Sequence, residues 1–317
     1  MTVPSRFFLI LIGCLLGIAC QQTPAPAVSP SEQHGLMKVG DTELFVRVKG
    51  SGEPLIVLHG GPGMEHGYLY PQMSSLGDSL QVIFFDQRNC GRSPVETDSS
   101  RMNMAQFVAD ISVLADSLGL DKFHLMGHSW GGLLAMWYAR SHPERLSSLI
   151  LVNSLAADTS YIYPSMVRQM ERFTDADQLT MERLTRSEAF QNREPQAVEA
   201  AFRFSFAASF YERKFLDSLA LFIPEDQKAR QPQWPYLVPD LTGYDLYEDL
   251  AALELPVLIL HGQQDATPFE AHEKLASMMP QAELRLIPQA GHFVFIEQEE
   301  TFEQYIRDFM LRGKLSP

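Results

Sequence analysis

The stretch Phe123-His124-Leu125-Met126-Gly127-His128-Ser129-Trp130-Gly131-Gly132 sets an apolar run directly before the pattern G-x-S-x-G. Phe123 to Met126 has the length and character of a buried strand, and Trp130 to Arg140 that of a helix. Glycines between the two permit a sharp, strained turn that lifts the Ser129 hydroxyl clear of the sheet edge. With glycine at about 7% of residues, the bare pentapeptide arises by chance in roughly one chain in ten. Its weight comes from its place between strand and helix. The competing reading is a glycine-rich turn carrying an idle serine.

On both sides of this turn, short apolar runs alternate with helical stretches. Glu43 to Val48 alternates in polarity, as a half-buried strand does. Leu55 to Leu58 is continuously apolar and leads into His59-Gly60-Gly61-Pro62-Gly63, and Val82 to Phe85 repeats the arrangement and ends at Asp86. Phe107, Ile111, Leu114 and Leu118 recur on one face of a helix, and Leu149 to Val152 is another strand. From about Ser154 the alternation gives way to helical stretches rich in Phe, Tyr and Met. It resumes at Pro256 to Leu260. Thr267-Pro268-Phe269-Glu270 predicts a helix start with Thr267 as the N-cap and Pro268 first in the helix. Glu283 to Ile287 is the last strand, and a C-terminal helix carries Phe302, Ile306 and Phe309. No internal repeat is visible. Strand alternating with helix implies parallel pairing. The expected fold is α/β, with a mostly parallel sheet in a core of residues 36–153 and 254–317 and a helical lid, residues 154–253, inserted between them.

Serine is a poor nucleophile without a base, and the base needs an acid to hold its tautomer. On such a fold the order runs Ser, acid, His. Four histidines follow Ser129: His142, His261, His272 and His292. His292, on a loop after the last strand, is the one placed to reach across to Ser129. Asp265, between the strand ending at Leu260 and the next helix, is the candidate acid. Its competing role is turn formation, and Asp158 is the substitute. A tetrahedral oxyanion needs two aimed N–H donors. The backbone of Trp130, at a helix N-terminus, supplies one. The glycine-rich loop at His59 supplies the other, with Gly61 as the choice. That loop is not a phosphate loop, since no Gly-Lys-Ser/Thr follows.

Taken together, His59-Gly60-Gly61-Pro62-Gly63, Asp86-Gln87-Arg88-Asn89-Cys90-Gly91-Arg92-Ser93 and Gly127-His128-Ser129-Trp130-Gly131-Gly132 resemble the α/β-hydrolase superfamily. More narrowly they are similar to the proline iminopeptidase-like serine peptidases. The resemblance implies Ser129 as nucleophile with Asp265 and His292, Gly61 and Trp130 as oxyanion donors, and no cofactor or metal. It also implies an aminopeptidase that releases N-terminal residues from peptides. The segment from Asp86 to Ser93 is read as a structural loop beside the site. Aminopeptidases of this group pair the substrate ammonium with lid carboxylates, because a buried cation needs a counter-charge. Their Trp-x-x-Trp-Glu stretch is missing here. Glu171, Glu199 and Glu212 are candidates, with Glu212, among Phe210, Tyr211 and Phe215, the first choice; a helix-surface Glu beside an Arg is usually only solvated. The elbow also fits carboxylesterase-like and carbon–carbon bond hydrolases. A non-catalytic binding lipoprotein on the same fold is the remote alternative.

Lys+Arg 25 against Asp+Glu 39 gives a net charge of −14, which opposes a phosphate-tracking surface and therefore nucleic-acid binding. The expected partner is a small peptide or ester substrate. No H-E-x-x-H occurs, and His124 and His128 span a strand and a turn rather than one helix face, so no metal site is expected. At the N-terminus, Arg6 precedes the apolar run Phe7 to Ala19, too short to span a bilayer but suited to a signal peptide, residues 1–20. Cys20 at its end resembles a bacterial lipobox; Cys14 competes, and simple cleavage after Ala19 is the third reading. Residues 21–35, rich in Pro, Ala, Ser and Gln, read as a tether. The expected location is the bacterial cell envelope: exported, lipid-anchored, facing the periplasm or exterior. With Cys90 the one cysteine beyond the leader, no internal disulfide is expected.

Overall fold

The computed structural model describes residues 31–312. The leader, Cys14, Cys20 and most of the tether lie outside the described residues. Eight strands form one sheet: β1 Glu32–Val39, β2 Thr42–Lys49, β3 Glu53–Leu58, β4 Leu80–Phe85, β5 Phe123–His128, β6 Leu146–Val152, β7 Val257–Gly262 and β8 Ala282–Ile287. Their order is β1-β2-β4-β3-β5-β6-β7-β8. β1 pairs antiparallel with β2, and β2 with β4; every other pairing is parallel.

The first strand corrects the tether boundary. Residues 32–35, assigned to the tether, pair with β2 through Glu32↔Lys49 to Gly35↔Val46. Their side chains are exposed, so no apolar alternation announces the strand. Backbone pairing through the turn at Gly40 and Asp41 holds it instead, as in a hairpin.

The central strands have the period of two that a sheet buried on both faces requires. Ile56 and Leu58 of β3 and Ile83 and Phe85 of β4 join one apolar cluster; Leu55, Val57, Val82 and Phe84 join the other. On the first face lie α1 Met104–Ser117 and α2 Trp130–Ser141. Asn103 caps α1 by accepting the Gln106 amide at 2.9 Å, and Phe107, Ile111 and Leu114 are fully buried. Truncating Ile111 to Ala costs about 2–5 kcal/mol in such a site.

Between β6 and β7 run the helices α3 Ile162–Glu171, α4 Asp175–Arg186, α5 Pro195–Ser205 and α6 Trp234–Leu241. After β7 come α7 Phe269–Met278 and, after β8, α8 Glu299–Arg312, whose Phe302, Ile306 and Phe309 cover the second face. α7 starts one residue later than the sequence predicts. Pro268 is the N-cap and, having no side-chain acceptor, makes no capping bond, while the Thr267 amide donates to Asp265 Oδ1 at 2.7 Å.

Candidate active site

Parallel strands place their C-terminal ends on one edge, where ligands of open α/β sheets bind. Gly60 and Gly61 follow β3, Gln87 follows β4, Ser129 follows β5, Asn153 follows β6, Asp265 follows β7 and His292 follows β8. Residues remote in sequence thus meet at one edge.

Ser129 has φ 56° and ψ −121°, a conformation that costs a non-glycine residue about 1–3 kcal/mol. Its surroundings hold it there. The Ser129 amide donates to Val152 O at 3.1 Å, and its carbonyl accepts from Gly132 at 2.9 Å and Leu155 at 3.2 Å. The turn is so tight that a Cβ on Gly127 would lie 2.1 Å from Gly131 O, and one on Gly131 would lie 2.4 Å from Leu58 O. Trp130 opens α2, among the first amides that no intrahelical carbonyl serves.

His292 Nδ1 lies 2.7 Å from Asp265 Oδ2. The same oxygen accepts from Asn153 Nδ2 at 2.6 Å, and Oδ1 accepts from the Thr267 amide. Burial works against ionisation of Asp265, but the charge and hydrogen bond of His292 outweigh it. They hold the carboxyl well below the usual carboxylate range. An ionised Asp265 keeps the proton on Nδ1 of His292 and frees Nε2 as an acceptor. The His292 loop is itself pinned: the His292 amide donates to Ser209 O at 2.7 Å, and the Gly291 amide to Glu297 Oε2 at 2.6 Å.

A second chain of hydrogen bonds joins three loops. His128 Nε2 lies 2.9 Å from His292 O, and Nδ1 lies 2.7 Å from Tyr68 Oη, which also takes the Gly60 amide at 2.7 Å. A carbonyl only accepts, so Nε2 carries the hydrogen, Tyr68 donates to Nδ1, and Tyr68 Oη accepts from Gly60. Burial, reinforced by His292, pushes the His128 pKa down to about 3, so the ring is neutral. Gly60 is therefore committed to Tyr68, and Gly61 is the next amide in the loop.

Ser129 and His292 together line two cavities. The larger, of about 380 Å³, lies under α3 and is walled by Leu155, Met166, Met170 and Phe206. The smaller, of about 50 Å³, lies against Gly60 and Gly61. Asp265 is the single carboxylate lining either, and it is fully engaged.

Other sequence candidates lie elsewhere. Glu212 is half-exposed and paired with Lys214 Nζ at 2.8 Å, its amide donates to Glu297 Oε1 at 3.1 Å, and it lines neither cavity. Glu199 pairs with Arg203 one helical turn on, and Glu171 is exposed at the end of α3. Asp158 caps a short turn by accepting the Ser160 amide. Among the described residues, the group with metal-ligand spacing is Glu65, His66 and Asp86. There Asp86 is bonded to His66 and to the Arg92 amide, and Arg92 lies 3.0 Å from Glu65, so cationic charge is already supplied.

Sequence reasoning missed Asn153, Glu297 and Tyr68. Asn153 had a readable signal, since it stands one residue past a strand end, as Ser129 does.

The sheet order, the strained serine after β5 and the acid–histidine pair at the same edge define an α/β hydrolase. The chain belongs to the alpha/beta hydrolase fold family, whose pattern matches residues 53–299. It is 26% identical over 297 residues to the proline iminopeptidase of Lactobacillus delbrueckii subsp. lactis, covering 86% of this chain and 96% of that one. To that of Saccharolobus solfataricus it is 27% identical over 279 residues, covering 83% and 86%. Among solved structures it is similar to a proline iminopeptidase-related protein from Thermus thermophilus, with TM-score 0.67, 26% identity and coverage of 89% and 98%. A thermophilic esterase from Thermogutta terrifontis matches with TM-score 0.60, 27% identity and coverage of 89% and 99%.

Proposed function

We propose that this α/β hydrolase is a serine hydrolase working through an acyl-enzyme on Ser129. The observation that carries the reading is the meeting of a strained Ser129 with the His292–Asp265 pair at the same cavities. Ser129 Oγ attacks the carbonyl carbon as His292 Nε2 takes its proton. The oxyanion is received by the amides of Gly61 and Trp130. His292 then returns the proton to the departing amine or alcohol; a water attacks the acyl carbon as His292 takes its proton, and the acid is released as that proton passes to the departing Ser129 Oγ.

Relatives called proline iminopeptidases support an aminopeptidase that releases N-terminal residues from peptides. The cavity favours a second reading, an ester- or amide-cleaving enzyme for an uncharged acyl group. Its walls are mainly apolar, and its one carboxylate is committed to His292, Asn153 and Thr267, so a free ammonium would lack a counter-charge. Export and lipidation at Cys20 remain part of the proposal, resting on the leader sequence, and mass spectrometry of the mature N-terminus tests them.

The deciding experiment compares prolyl and other aminoacyl arylamides with short and medium acyl nitrophenyl esters, using Ser129→Ala as the control. Arylamide turnover that needs both Ser129 and a free substrate amine supports the aminopeptidase. Ester turnover alone supports the second reading. Neither activity, together with no fluorophosphonate labelling of Ser129, defeats the serine hydrolase and leaves a binding protein.

A further inference from the structure

A third cavity, of about 240 Å³, lies between the glycine-rich loop and the helical insertion. Pro62 and Gly63 form one wall, and Arg193, Arg230, Gln233 and Trp234 stand around the rest. In a chain of net charge −14, two arginines and no carboxylate line it.

Its polar groups are built in rather than accidental. Arg230 is 5% exposed, its Nε and Nη2 held by Asp226 Oδ1 and Oδ2 at 2.7 and 3.1 Å and Nη2 also by Ser93 O at 3.0 Å, while Nη1 is buried without a hydrogen-bond partner. Gln233 is 4% exposed; its Nε2 donates to Arg88 O at 2.9 Å, and its Oε1 is likewise buried without a partner. Arg193 is tied to a carbonyl rather than an acid, donating from Nη1 to Arg230 O at 2.9 Å. A buried polar group left unpaired costs about 1–3 kcal/mol, and here an unused donor and an unused acceptor belong to two residues that line the same cavity.

We infer that this cavity binds a carboxylate on the leaving-group side of the substrate. The Arg193 guanidinium, which pairs with no carboxylate among the described residues, suits one on the ligand, for which planar, forked donors are the best match, and Arg230 Nη1 is the donor that Asp226 leaves unused. Gln233 Oε1 suits an N–H or O–H beside it, and Trp234 provides an apolar wall. The site lies on the substrate's path. Gly60 and Gly61 line the cavity at Ser129, and Pro62 and Gly63, the next two residues of the same loop, line this one, so the two cavities share that loop as a wall. With the acyl group in the apolar cavity under α3, the departing group extends past the loop. The inference rests on the hydrolase reading for its place in the reaction, but its anion binding does not.

The test has a catalytic arm and a binding arm. In the first, the butanoyl ester of 4-hydroxybenzoate is compared with that of methyl 4-hydroxybenzoate, which has the better leaving group. The wild-type protein should prefer the carboxylate ester by at least tenfold in kcat/KM. Arg193→Gln should lower that ratio at least tenfold, and Arg193→Lys, which keeps the charge without the fork, less. In the second, 4-hydroxybenzoate is titrated calorimetrically into Ser129→Ala protein, with and without Arg193→Gln, each variant first shown to melt cooperatively. Saturable binding weakened at least tenfold by Arg193→Gln supports the site even if neither ester is cleaved, in which case the hydrolase reading alone fails. Absence of saturable binding, or binding indifferent to Arg193, overturns the site even if both esters are cleaved.

Discussion

Gln87 Oε1 accepts the indole N–H of Trp130 at 3.0 Å, so the second residue past β4 is fastened to the residue after Ser129. The same Gln87 donates from Nε2 to His59 O at 2.8 Å, and its amide donates to His59 Nε2 at 3.0 Å. One buried side chain therefore fixes the distance between the two loops that carry the candidate oxyanion donors, Gly61 and Trp130.

Replacing Gln87 with Met keeps the volume but strands the Trp130 indole N–H and the His59 carbonyl. At about 1–3 kcal/mol for each stranded group, the expected loss is about 2–6 kcal/mol of stability. Loosening the donors should also lower kcat by about tenfold with little change in KM, since donors act on charge that develops only in the transition state. Denaturant midpoints and steady-state kinetics check both. A variant that loses stability but keeps full kcat would make Gln87 purely a structural tie.

Ser129→Ala and His292→Ala should each lower kcat by about 10⁶, and Asp265→Asn by about 10⁴, if other triads are a guide. Asp265→Asn removes the acceptor that keeps the proton on His292 Nδ1 while leaving the packing of Asn153 and Thr267 around it. Single-turnover assays on the best ester or arylamide separate these effects from substrate binding. Near wild-type activity in Asp265→Asn would remove Asp265 from the acid role.

The sheet was legible because β3, β4, β5, β6 and β7 are buried on both faces and so read as apolar runs bounded by glycine or polar residues. The first half of β1 was not, because backbone pairing holds it and Glu32, Gln33 and His34 are exposed. Ser129, Asp265 and His292 were legible because each stands on a loop just past a strand and chemistry demands those residue types in that order. Glu297 and Tyr68 were not read, since each acts by donating to or accepting from another residue of the site, and one sequence does not reveal which glutamate or tyrosine is turned inward; Asn153 was passed over although its place one residue past β6 marked it. Glu212 misled for the complementary reason: Phe210 and Phe215 face the core while Tyr211 is exposed and the Glu212 carboxylate meets Lys214.

That contrast gives a paired prediction. Glu212→Gln should leave kcat/KM within about twofold, because exposed ion pairs contribute little and this one touches neither cavity. Asn153→Ala should lower kcat by about tenfold or more, since Asn153 Nδ2 bridges Asp265 Oδ2 and Gly291 O at 2.6 and 3.1 Å and so orients the acid and the histidine loop together. Kinetics on the same substrate decide both. A large loss in Glu212→Gln would return that carboxylate to substrate binding.

Acid should unfold this protein through its buried histidines. Burial is the first cause that lowers His59 to about 4 and His128 and His272 to about 3. Hydrogen bonds agree for the first two: His59 Nδ1 donates to Gly60 O while its Nε2 accepts from Gln87, and His128 accepts from Tyr68. The unfolded chain protonates these rings at about pH 6.5, so above about pH 7 both states bind the same number of protons and stability is flat. Below pH 6.5 the unfolded state binds more, and stability falls with pH until the folded values near 4 and 3 are reached. Three such groups give up to three protons taken up on unfolding, a slope approaching about 4 kcal/mol per pH unit, which a domain holding about 5–15 kcal/mol cannot sustain for long. Denaturant titrations at pH 7, 6 and 5 measure the slope, and His128→Asn should reduce the proton uptake by one. Equal stability at pH 7 and pH 5 would mean these rings already carry their protons in the folded state, and the neutral His128 that links Tyr68 to the His292 loop would have to be given up.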